Sequence, residues 1–140
     1  MNHPQLLSFA KKSITIWRKR WRIDQKWTIE PVYSSEPYVD DPKASCVQDD
    51  DGANYWKMKL TFYPPALEHK SDTTIRTRVN QIVCHEMGHI FHWPMSSFAR
   101  NALPQRLWEE YLKHEEQLVT LQEQIFTNQK PKQGVKLTWS

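Results

Sequence analysis

At 140 residues, 39% apolar and 12% aromatic, the chain can bury one core, is too short to divide comfortably into two, and is too apolar for intrinsic disorder. Two cysteines exclude a disulfide framework, and a net charge of +3 is too mild to mark a nucleic-acid binder by itself. No stretch has the length of a membrane span and Met1 to Ala10 lack a signal-peptide pattern, so the expectation is a cytoplasmic protein with no membrane partner.

The first segment places Leu6, Leu7, Ala10, Ile14, Trp17 and Trp21 at helical spacing, which predicts an amphipathic helix. Lys11, Lys12, Arg18, Lys19, Arg20, Arg22 and Lys26 populate its outer side, interleaved with Trp17, Trp21 and Trp27. Such interleaving occurs on some nucleic-acid-binding surfaces, whereas a charged outer face is also what simple solvation of a surface helix produces. Trp27 to Tyr33 reads as a short edge strand, because Pro31 cannot donate to a central ladder. Tyr55 to Phe62 alternates Trp56, Met58, Leu60 and Phe62 with polar partners, as a strand with one buried face does. Ala44 to Gln48 would be its hairpin partner across a turn through Asp49 to Asn54, where the spacing of Asp49, Asp50 and Asp51 lacks the pattern of a calcium loop.

Ser71, Asp72 and Thr73 can cap a helix that carries Ile75, Val79, Ile82, Val83, Met87, Ile90 and Phe91 before Pro94 ends it. A last helix is predicted from about Pro104 to Thr127. The order of elements is helix, small sheet, helix, helix, an α+β arrangement with one domain over residues 1–128 and a loose tail over 129–140.

Within the third of these elements, His85, Glu86, Met87, Gly88 and His89 spell His-Glu-x-x-His. Residues four apart on a helix share a face, so both imidazoles can reach one zinc ion, and Glu86 stands next to the first of them as a base. The competing reading is a pair of ordinary histidines bonded to backbone or carboxylates. Gly88 would allow a close approach. His92 cannot join the pair, because positions i, i+4 and i+7 of one helix span about 10 Å. Glu115 is the leading third ligand, since Tyr111, Leu112, Leu118 and Val119 surround it at helical contact spacing and a carboxylate on an apolar face asks for a partner. Glu116 ranks second. Cys84 points away from the histidines and reads as a buried apolar residue.

With these residues in place the chain resembles the zincin metallopeptidases, in their glutamate-liganded branch. The metzincin extension is missing, because Met95 stands where its third histidine would fall. Among zincins it is similar to the small metallopeptidase-like proteins of phages and mobile elements. That similarity runs from the first helix through the Trp27 to Val32 strand, the strand ending Phe62-Tyr63-Pro64, the motif helix and the Glu115 to Val119 segment. The resemblance implies a minimal zincin-like domain with a sheet of about three strands. It implies His85, His89 and Glu115 as zinc ligands, Glu86 as base, the Tyr55 to Phe62 strand as a substrate-side edge, and a peptide or protein as substrate. His92, Tyr111 and His114 are possible helpers. The alternative function is a non-catalytic, zinc-stabilised module whose basic first helix contacts nucleic acid or a protein partner.

Overall fold

The computed structural model describes residues 1–49, 56–69 and 71–127. Residues 50–54 of the turn predicted over Asp49 to Asn54, Tyr55 and the predicted tail over 129–140 lie outside them, and Asp49 itself ends a strand. Helix α1 (His3–Arg20) starts at a reciprocal cap: the Asn2 side chain accepts the Gln5 amide at 2.9 Å and the Gln5 side chain accepts the Asn2 amide at 3.0 Å. This satisfies donors that a helix start otherwise leaves orphaned. Leu6, Ala10, Ser13, Ile14 and Trp17 form its buried face. Arg22 then takes a positive φ of 55°, turning the chain towards the sheet.

Strands β1 (Thr28–Tyr33), β2 (Cys46–Asp49) and β3 (Lys57–Phe62) form a mixed sheet in the order β1-β3-β2. β1 runs parallel to β3, with Thr28 opposite Lys57 and Tyr33 opposite Phe62. β2 runs antiparallel to β3, with Cys46 opposite Phe62 and Asp49 opposite Lys59. Pro31 therefore sits on an edge strand, where a missing N–H costs no ladder bond. β3 is the central strand, which corrects the expectation that it supplies an edge. Met58, Leu60 and Phe62 are buried while Trp56 is not.

After a 3-10 turn, Pro64–Leu67, helix α2 (Asp72–Phe91) opens with the Ser71 hydroxyl accepting the Thr74 amide at 3.1 Å. Ile75, Val79, Val83, Met87 and Ile90 join the core with α1 and the sheet. Each such apolar side chain removed from water contributes about 1.5–3 kcal/mol. Sequence alone gives no sign of helix α3 (Trp93–Ala102). Pro94 reads as a stop, and α2 does end at Phe91, but the same residue occupies the first turn of the next helix, where its fixed φ is favourable and no hydrogen bond is lost. Helix α4 (Gln105–Phe126) completes the α+β fold and packs on α2 and α3.

Gly88 lies where α2 meets both α1 and α4. A Cβ there would fall 2.7 Å from Val119 Cγ1 and 2.8 Å from the Trp21 ring. Absence of a side chain thus lets an indole and an α4 valine close on the motif helix, which offsets the roughly 1 kcal/mol that glycine costs within a helix.

Candidate metal centre

His85 and His89 stand one turn apart on the side of α2 that faces α4, and their Nε2 atoms are 3.2 Å from each other. Glu116 bridges them, with Oε1 2.9 Å from His85 Nε2 and Oε2 2.9 Å from His89 Nε2. The three residues offer ligand atoms that all lie within 4.8 Å of one another. Two nitrogens bound to a tetrahedral zinc at about 2.0–2.1 Å stand roughly 3.3 Å apart, close to the spacing found.

The opposite ring nitrogens are also occupied. Glu115 Oε2 lies 2.8 Å from His89 Nδ1, and Glu123 Oε2 lies 3.5 Å from His85 Nδ1. Carboxylates behind the rings are the usual means of fixing tautomer and orientation in metal-binding histidines. Tyr111 in turn donates its hydroxyl to Glu115 Oε1 at 3.1 Å. Glu115 is therefore buried, 6% exposed, as its apolar neighbours suggest. It holds the far side of His89, while Glu116, with a side chain 55% exposed, meets the pair of Nε2 atoms. The two glutamates differ by about 100° around the helix, too small an angle to resolve from a hydrophobic pattern. Glu123 escaped sequence reading altogether; its signal is the seven-residue step from Glu116, which returns to the same face two turns later.

The carboxylates also shift the titration of the two rings. Burial opposes a charged His85, but its hydrogen bonds to Glu116 and Glu123 prevail and push it up to about 10. His89 rises to about 9 in the same way, burial being outweighed by Glu115 and Glu116. The two histidines hold the Glu116 carboxyl well below the usual carboxylate range. Burial raises Glu86, with His89 and His85 pulling it back. Tyr111 is pushed up to about 12 by burial and by Glu115.

Glu86 shares a cavity of about 290 Å³ with His85, Glu123 and Cys46 of β2. The Cys46 thiol is raised first by burial and then by the Glu86 charge, so β2, an edge strand, runs beside the base. On the His89 side, Gln48 of the same strand lines a second cleft of about 510 Å³. The site-facing edge is thus β2 and not Tyr55 to Phe62.

Other candidates lie apart from the cluster. His92 is the junction between α2 and α3, held below its ordinary value by burial, and His114 is exposed. Cys84 is fully buried and its carbonyl accepts the Trp21 indole N–H at 2.9 Å. Trp17, Trp21 and Trp27 are buried as well, which removes the aromatic half of the basic, tryptophan-rich pattern. Arg18 donates to the carbonyls of Asp24 and Trp27, and Arg20 lies over the Phe126 ring. Among the described residues no helix is long and apolar enough to cross a membrane. No protein-family model, curated protein or solved structure matches the chain.

Proposed function

We propose that the chain is a zinc-dependent peptide hydrolase in which His85, His89 and Glu116 hold the ion and Glu86 is the general base. One observation carries this reading: two Nε2 atoms of a His-Glu-x-x-His helix converge at 3.2 Å on a shared carboxylate, while further carboxylates back both rings. A bound zinc would supply Lewis acidity towards the scissile carbonyl and lower the pKa of a water. Glu115 and Glu123 orient the imidazoles, and Tyr111 steadies Glu115. Glu86 accepts the proton of the attacking water and passes it to the leaving amine, a role suited to a carboxyl raised by burial. The edge of β2 offers backbone groups for pairing with an extended substrate.

Elemental analysis of the purified protein tests the metal. Wild type should carry one zinc, Glu116→Ala should lose it, and Glu115→Gln should keep it with weaker affinity. Wild type devoid of metal after zinc loading and desalting would sink the reading. Glu86→Gln, with zinc retained, should lose hydrolysis of any substrate that wild type cleaves by about 10²–10⁴-fold; an unchanged rate would remove Glu86 from the mechanism.

A further inference from the structure

The cleft on the His89 side has features that the proposed hydrolysis does not use. Trp93 from α3 and Trp108 and Leu112 from α4 supply apolar walls, while Arg100 supplies a cation. His89 and Glu115 line the same space, so whatever fills it lies against the candidate metal centre. At about 510 Å³ it falls within the size range of small-ligand sites and has room for one whole amino-acid residue.

Both aromatic walls are held in place before anything binds. Trp93 meets Trp27 of the core edge-on at 6.3 Å, and Trp108 stacks on Tyr111 at 5.7 Å with the rings 12° apart. Tyr111 is the residue that donates to Glu115, so one wall of the cleft is coupled to the group behind His89. Preformed rings lower the ordering cost of binding. Leu112 is 41% exposed at this cleft, which leaves apolar surface for an occupant to cover.

Arg100 is exposed and has no ion pair among the described residues. A guanidinium is always charged and its planar fork matches a carboxylate. A lysine or arginine side chain placed beside Arg100 would meet like charge, and a small residue would leave the rings uncovered.

We propose that this cleft is a specificity subsite for a large apolar or aromatic residue accompanied by a carboxylate, the side chain lying between Trp93 and Trp108 and the carboxylate pairing with Arg100. The proposal deepens the peptidase reading and rests on it for its meaning. The carboxylate has two possible sources, the free end of a peptide or an acidic residue beside the aromatic one, and Arg100 recognises the chemistry they share.

The test is a titration of the full chain in excess chelator, so that neither zinc nor hydrolysis enters, following the indole N–H resonances of Trp93 and Trp108. The probes are N-acetylphenylalanine, its neutral amide, and N-acetyl-Phe-Asp-amide. At least one carboxylate probe should bind about tenfold more tightly than the neutral amide. Arg100→Gln should remove that advantage, Arg100→Lys should restore part of it, and Trp108→Leu should weaken all three. The tighter of the two acids identifies the source. Equal affinity of acids and amide, or an acid preference that survives Arg100→Gln, would overturn the proposal, as would no binding of any probe. Because the titration needs no metal, its failure leaves zinc content untouched, and a zinc-free wild type with intact probe binding would instead remove the peptidase reading.

Discussion

The two seams that flank α2 use opposite chemistry. Towards α1 the contact is apolar with a few sealed hydrogen bonds: Asn80 Oδ1 accepts both the Ser13 hydroxyl at 2.9 Å and the Trp17 indole at 2.8 Å, and Trp21 donates to the Cys84 carbonyl. Towards α4 it is a lattice of imidazoles and carboxylates with an exposed rim at Glu116. One helix thus carries a face that fixes it and a face that can exchange protons for an ion. Apolar packing energy is expected to reside chiefly in the first seam and metal affinity in the second.

The sharpest way to break this division is His89→Ala, which should take zinc from one equivalent to none. Next come the adjacent glutamates. Glu116→Ala removes a proposed ligand and should abolish stoichiometric binding, whereas Glu115→Gln removes an orienting partner and should cost about 10–100-fold in zinc affinity, measured by competition with a chelating dye. If Glu115→Gln proved the more damaging, the assignment of the two residues would be reversed.

Away from the polar cluster the effects should appear in denaturation and not in metal content. Gly88→Ala forces a methyl against Val119 and Trp21 and should cost about 2 kcal/mol. Asn80→Ala leaves two donors without their acceptor and should cost about 1–3 kcal/mol. In both variants the folded fraction should still take up one zinc.

The smallest effect is a contrast in pH dependence. His85 and His89 lie above their ordinary 6.5 in the metal-free protein, so the stability they contribute is full below about 6.5 and is lost as pH rises through about 9 to 10. Zinc needs those nitrogens deprotonated, so its affinity should rise over the same interval. Melting curves from pH 6 to 9 with chelator and with zinc should therefore diverge; parallel curves would argue that the ion binds elsewhere.

Legibility from sequence followed how many constraints a residue satisfies at once. Leu6, Ala10, Ile14, Trp17 and Trp21 are all buried, because a face that packs on both a helix and a sheet must be mostly apolar, its one polar member, Ser13, being hydrogen-bonded to Asn80. On α4 the apolar pattern overstates the contact: Leu107, Leu112, Leu118 and Ile125 are each more than 40% exposed while Glu115 and Gln124 are buried. A helix that touches its neighbours along a narrow stripe leaves apolar residues outside, and polar ones enter where the partner is polar. Composition cannot say which stripe is used. The motif itself was readable because its spacing is set by one turn of one helix; its third partner depends on how α4 is rotated, which is a tertiary fact. The central place of β3 was equally hidden, since parallel pairing with β1 leaves no local turn signal.

That strand order governs when the sheet can come into being. β3 follows both of its neighbours in the chain yet lies between them, so residues 28–33 and 46–49 have no ladder to join until residues 57–62 arrive. Closure of the parallel pair must also wait for the intervening two dozen or so residues to be gathered in, a loop-closure cost of the kind that slows folding. A nascent chain halted before Lys57 would carry two edges and no middle, and the edge beside Glu86 would exist only once the last strand had slid into place.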